Sequence, residues 1–265
     1  MDAAAQPLFP NPLVLPTGLA LETCFAPASL DGADDYDGAT APRSALGSKL
    51  AVCLHPWSRL GGNMYDPILE TLVHPLTRNG YHVLRYNARG VGDSSGAASF
   101  TGFQEAQDLK ELVQYAVARL GGVQELLLVG YSHGSLITSF HSPLPLPTRT
   151  SHILLSYPFG PRQFLTAFNS GKYQDAIETL LKDAGARVLI VYGDADEFTS
   201  ASSYTGWIER LRNVASTGMG SEEGTVRERM QIECVAGATH FWTGQSRGEL
   251  VRVVKAFLDE GSYSR

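Results

Sequence analysis

Gly130-Tyr131-Ser132-His133-Gly134 contains the first group able to do chemistry. These residues follow a short apolar run, Leu126–Val129, and lead into Ser132–Phe140, which reads as the opening of a helix. A strand that turns sharply into a helix exposes the residue at its tip, and small residues two positions to either side let the turn close. Ser132 stands at that tip. A hydroxyl is a poor nucleophile until a base takes its proton, and the base needs a third group to hold its tautomer. His240, in Ala238-Thr239-His240-Phe241-Trp242, is a candidate base. Asp194, Asp196 and Glu197 crowd the segment Gly193–Glu197, directly after the apolar run Val188–Tyr192, and any of them could orient a histidine. A serine, a carboxylate and a histidine in these roles support acyl transfer through a covalent intermediate.

Such chemistry also needs donors where charge develops on the carbonyl oxygen. One is the backbone N–H of His133, directly after the serine. The other is expected from the loop His55-Pro56-Trp57-Ser58-Arg59-Leu60-Gly61-Gly62, which follows the apolar run Leu50–Leu54. Pro56 has no N–H, which leaves Trp57 or Ser58. His55 reads as a buttress of this loop, and the His133 side chain as packing.

Other motifs carry less. Arg89–Gly96 lacks the lysine and spacing of a phosphate loop and reads as a structural turn. The acidic stretch Asp31–Gly38 fails the calcium-loop pattern and reads as a solvated loop. No Cys or His cluster has zinc spacing. The expectation is therefore no metal and no cofactor, with a small acyl compound as the partner.

The elements that must position these groups alternate in type. Leu50–Leu54, Tyr81–Tyr86, Leu126–Val129, Ile153–Leu155 and Val188–Tyr192 are short buried runs suited to strands. Helical spacing marks Met64–Leu76, Phe103–Leu120 and a final stripe, Leu250–Leu258. Ile232 and Cys234 alternate with polar residues, as expected near a sheet edge. Strands alternating with helices predict a mostly parallel sheet covered on both faces. Leu13–Leu19 and Leu21–Phe25 suggest an antiparallel hairpin at the N-terminal end. Residues 158–186, with a weak helical pattern, are a possible short lid, and Ser216–Thr225 reads as a loop. With no repeat and no linker, residues 1–265 are read as one α/β domain.

Composition sets the bounds. The 265 residues are 43% hydrophobic and carry a formal charge of −6. That balance argues against nucleic acid, whose phosphates demand clustered cations. No apolar run approaches the ~20 residues that span a bilayer. The proline-broken N-terminal segment is not a convincing signal peptide. Three cysteines, Cys24, Cys53 and Cys234, read as buried thiols in a reducing, cytoplasmic setting. Oligomeric state is open.

Several motifs together are more specific. His55-Pro56, Gly61-Gly62-Asn63-Met64, Arg85–Gly92, Gly130–Gly134 and Thr239-His240-Phe241-Trp242 occur in that order. They resemble a small-hydrolase family of the α/β-hydrolase superfamily whose members show HP…GG, FNFRGVG, GYSFG and HFF motifs. The resemblance runs from about Lys49 to Leu258. It implies a compact fold with little cap and a triad in the chain order Ser132, acid, His240. It also favours Asp196 as the acid, with Asp194 as the runner-up that caps the turn. His133 departs from the commoner phenylalanine, and Tyr86 and Ala88 from the FNF pattern. The leading reading is a serine esterase or thioesterase. The alternatives are a lyase, cyclase or acyl transferase on the same fold, or a small-molecule receptor that does no chemistry.

Overall fold

The computed structural model describes residues 8–29, 48–217 and 229–263. The acidic stretch Asp31–Gly38 and most of Ser216–Thr225 lie outside the described residues. Two short strands, β1 (Leu13–Val14) and β2 (Ala20–Leu21), pair antiparallel. Seven more build the central sheet: β3 (Thr23–Ala26), β4 (Lys49–Leu54), β5 (Tyr81–Tyr86), β6 (Glu125–Tyr131), β7 (Arg149–Leu155), β8 (Ala186–Gly193) and β9 (Met230–Val235). Their order across the sheet is β3-β5-β4-β6-β7-β8-β9. All neighbours run parallel except β3 and β5. The expected N-terminal hairpin is thus only two residues deep, because Thr23–Ala26 leaves it and pairs with Val83–Tyr86 instead. β5 would otherwise present an open parallel edge, and the antiparallel β3 closes it.

The chain passes from β4 to β5 on one side and then crosses back to β6 on the other. A parallel sheet opens a crevice at the carboxyl ends of its strands where the chain direction reverses in this way. The loop at His55 and the turn at Ser132 leave β4 and β6 at that point.

Strand alternation decides what each face buries. In β4, Ala51 and Cys53 face a core shared with α1 (Pro67–Arg78) and α7 (Ser246–Tyr263), whereas Leu50, Val52 and Leu54 face α2 (Phe103–Arg119). Asp66 caps α1 by accepting from the Ile68 N–H at 2.9 Å, with Pro67 at the first helical position. A short helix, α3 (His133–Thr138), follows the serine. In β8, Val188, Ile190 and Tyr192 face a third core, completed by α5 (Ser170–Lys182) and α6 (Ala201–Thr217). α6 has no counterpart in the sequence reading. α5 buries Tyr173, Ile177, Leu180 and Leu181 in this core, so most of residues 170–182 covers the sheet. No helix among the described residues is long and apolar enough to cross a membrane.

The cysteines differ from expectation. Only Cys53 is buried; Cys24 is half-buried and Cys234 exposed. Cys53 lies in a central strand, whereas β9 is the sheet edge and turns Glu233 and Cys234 outward.

His152, in β7, is fully buried and bonded through Nε2 to the His141 carbonyl at 2.8 Å. Burial pushes its imidazole down to about 3. The unfolded chain therefore takes up a proton near pH 6.5 that the folded protein refuses until about pH 3. Stability falls with pH throughout that window, by about 2 kcal/mol between pH 6.5 and 5 from this group alone. His152→Gln, which can still donate but does not titrate, should remove that share of the acid sensitivity. Denaturant melts at pH 7 and pH 5 decide it, and an equal loss in both proteins would clear His152 of the effect.

Candidate active site

Ser132 joins β6 to α3 with φ 53° and ψ −116°, a region L residues seldom occupy. Such a strained residue costs on the order of 1–3 kcal/mol and persists only when its surroundings hold it. Here the Ser132 N–H donates to the Leu155 carbonyl at 2.9 Å, and the Ser132 carbonyl accepts from the Ser135 N–H and hydroxyl at 2.9 and 2.6 Å.

The flanking glycines are fixed by space. A Cβ on Gly130 would lie 2.5 Å from the Gly134 carbonyl oxygen, and one on Gly134 would lie 2.5 Å from that of Leu54 and 2.8 Å from that of His55. The serine turn is thus pressed backbone-to-backbone against the end of β4. Gly134→Ala should force the two apart and destabilise the fold by about 1–3 kcal/mol, the usual effect of overpacking. Chemical denaturation measures this, and wild-type stability would show that the contact yields freely.

His240 stands opposite. Its Nε2 is 2.9 Å from the Ser132 Oγ, and its Nδ1 is 2.7 Å from Asp196 Oδ2. A carboxylate only accepts, so Nδ1 carries the proton and Nε2 is free to receive one from the serine. Asp196 is itself fixed, since its Oδ1 accepts the N–H groups of Phe198 and Thr199 at 2.8 and 2.9 Å. Asp194 points elsewhere and caps the Gly237 N–H at 2.6 Å. All three members of the Ser132–His240–Asp196 array are buried.

Two further residues hold the histidine and were not singled out from the sequence. Glu197 accepts the His240 N–H at 2.8 Å, and the Tyr131 hydroxyl donates to the His240 carbonyl at 2.8 Å. Glu197 was visible only as one of three neighbouring carboxylates. Tyr131 was visible only as the variable position of the glycine-serine motif. The Phe198 ring meets the imidazole edge-on with centroids 4.6 Å apart.

The loop after β4 lies against the serine turn. The His55 Nε2 accepts the Ala88 N–H at 3.0 Å, which requires the proton on Nδ1, and that nitrogen donates to the Pro56 carbonyl at 2.6 Å. Burial holds the His55 imidazole below its ordinary range, opposed by the Pro56 bond. A neutral His55 thus ties the loop to the Arg85–Gly92 segment. That segment clamps it again: the Met64 N–H donates to Asn87 Oδ1, and Arg85 donates to the Met64 carbonyl. Arg89 pairs through two nitrogens with Asp108 at 2.6 Å each. The half-buried His133 side chain lines a small cavity with Tyr86, Glu105 and Ile137, and burial pushes its imidazole down to about 4.

A mostly parallel sheet of this order, with an antiparallel strand at one edge and a serine turn at the carboxyl end of a central strand, is the α/β-hydrolase fold. The chain has that fold, and residues 61–163 match the family model described as serine aminopeptidase, S33. In sequence it is 26% identical over 207 residues to an uncharacterized protein of Rickettsia prowazekii, covering 78% of this chain and 76% of the relative. In structure it is similar to a Xanthomonas campestris protein described as a serine hydrolase without lid. The TM-score is 0.62 and the identity 22%, over 97% of this chain and 96% of that one. It is also similar to Est1E of Butyrivibrio proteoclasticus, whose structure holds ferulic acid. There the TM-score is 0.66 and the identity 16%, over 92% and 96% of the two chains.

Proposed function

We propose that the protein is a serine hydrolase that cleaves an ester or thioester of a small acyl substrate. The observation that carries this reading is the unbroken relay from Ser132 Oγ through His240 to Asp196. In it, His240 Nε2 takes the proton as Ser132 Oγ attacks the substrate carbonyl. The oxyanion then draws hydrogen bonds from the His133 amide and from the amide of Trp57 or Ser58. The protonated His240 returns its proton to the leaving oxygen or sulfur, which leaves an acyl-Ser132. Water, activated by the same imidazole, releases the acid and restores the serine. Neutral imidazole is needed at both steps, so turnover falls on acidification.

Phe198 and Phe241 are 39% and 53% exposed and meet His240 edge-on, which gives the substrate an apolar surface beside the histidine. Residues 158–169 supply what cap there is in this reading, because α5 is committed to the core.

Covalent labelling tests the proposal. A fluorophosphonate should label wild type and not Ser132→Ala, and turnover of short esters and thioesters in ¹⁸O-water should place the label in the released acid. Labelling without incorporation from water would point to transfer or lyase chemistry. Absence of labelling in folded protein would leave a receptor.

A further inference from the structure

Away from the triad, the third core adjoins a buried cation with no counter-charge among the described residues. Arg162, the first residue of the short helix α4 (Arg162–Leu165), is 8% exposed. Its Nη1 donates to Gln174 Oε1 at 3.0 Å, and its guanidinium lies 4.9 Å from the Phe159 ring centroid. Its Nε is buried without a hydrogen-bond partner. Among the described residues, no carboxylate comes within ion-pair distance of it. A guanidinium taken out of water is costly unless it is paired, and an amide oxygen and a ring face replace a carboxylate poorly.

The same residue lines an open cavity of about 540 Å³ between α5 and α6. Phe159, Gln174, Trp207, Ser202 and Ser203 share its wall, and Asp175 and Arg210 lie there as well. Asp175 is exposed and so stands in water. Arg210 is engaged by Glu178 at 2.7 Å. Gln174 cannot swing away to serve a ligand. Its Oε1 also accepts from Trp207 Nε1 at 3.0 Å, and its Nε2 donates to Glu178 at 2.8 Å. That leaves Arg162, held by Gln174 and beside the Tyr157 hydroxyl, as a wall cation with no ion pair among the described residues, and Ser202 and Ser203 line the same cavity.

We propose that this cavity is an anion subsite in which Arg162 holds a carboxylate or phosphate group. Guanidinium donors suit the planar or tetrahedral oxyanion, and the Phe159 face keeps the group desolvated on one side. The subsite adjoins the acid turn. The Gly160 N–H donates to Thr199 Oγ1 at 3.0 Å, and the Thr199 N–H donates to Asp196 at 2.9 Å. The anion arrives either as part of the acyl substrate or as a free effector.

Trp207 in the wall gives an intrinsic fluorescence probe. Inorganic phosphate and succinate, titrated at constant ionic strength against chloride, should produce a saturable change in the roughly millimolar range or below. Arg162→Met should weaken it by about tenfold or more, Arg162→Lys should retain part of it, and Ser132→Ala should leave it intact. A change no greater than that given by chloride, or undiminished binding in a folded Arg162→Met, overturns the proposal. Should the methionine variant fail to fold, the wild-type titration against chloride still decides. A second arm identifies the source and alone rests on the hydrolase reading. It compares turnover of a succinate half-ester with that of a neutral ester of equal length. A preference for the half-ester that disappears in Arg162→Met identifies the substrate's own anion. Binding without such a preference identifies a free effector.

Discussion

Ser132→Ala should fold as the wild type does and lose roughly four to six orders of magnitude in kcat for acyl transfer. The expectation of an intact fold comes from where this residue's bonds lie. Its N–H and carbonyl make the contacts that hold the turn, to Leu155 and Ser135, and alanine keeps both. The side chain contributes a single hydrogen bond, to His240 Nε2 at 2.9 Å. The variant therefore removes the attacking atom and little else. The residual rate would come from polarisation of the carbonyl by the amides of His133 and the loop after β4, acting on water without a covalent intermediate. Single-turnover kinetics with an activated ester, alongside a melting curve, measure both halves of the claim. Turnover within a few-fold of wild type in a folded variant would move the nucleophile elsewhere.

The candidate chemistry-bearing positions stand out in the sequence because each sits where a strand ends. Ser132 and Asp196 follow β6 and β8, whose apolar runs stand out against polar flanks, and His240 follows β9, which shows in the sequence only as an alternation of Ile232 and Cys234 with polar residues. Residues that act on other residues were harder to read. Glu197 and Tyr131 secure the two sides of the His240 backbone across separations of 43 and 109 residues, and nothing local to either announces that pairing. The same reason explains the hairpin. Thr23–Ala26 has the pattern of a strand, but its partner, β5, lies about sixty residues on, and register across such a distance is a matter of packing. α6 went unread because its buried positions, Tyr204, Trp207, Ile208 and Leu211, are spread among serine, threonine, arginine and glycine. Arg162 is the converse case: an ordinary arginine in sequence, informative only once its burial and its missing counter-charge are seen.

The sharpest test of roles within the acid turn is Asp196→Asn beside Asp194→Asn. Asp196 Oδ1 accepts two backbone N–H groups, from Phe198 and Thr199. An asparagine there must keep its oxygen on those donors, which turns its NH₂ toward His240 Nδ1. A donor facing Nδ1 forces that nitrogen to accept, and the imidazole proton moves to Nε2, the atom that should be receiving the Ser132 proton. The relay would then be occupied by the wrong tautomer with every heavy atom in place. A loss of about 10⁴ in kcat is expected, the size known for the equivalent change in a serine protease. Asp194 only caps the Gly237 N–H, and asparagine can accept that bond through its own oxygen. Asp194→Asn should therefore stay within a few-fold of wild type. Kinetics of the two variants give the ranking, and ¹⁵N shifts of His240 in Asp196→Asn should show the proton on Nε2. Equal rates in the two variants, or a deeper loss in Asp194→Asn, would strip Asp196 of its role in orienting the base.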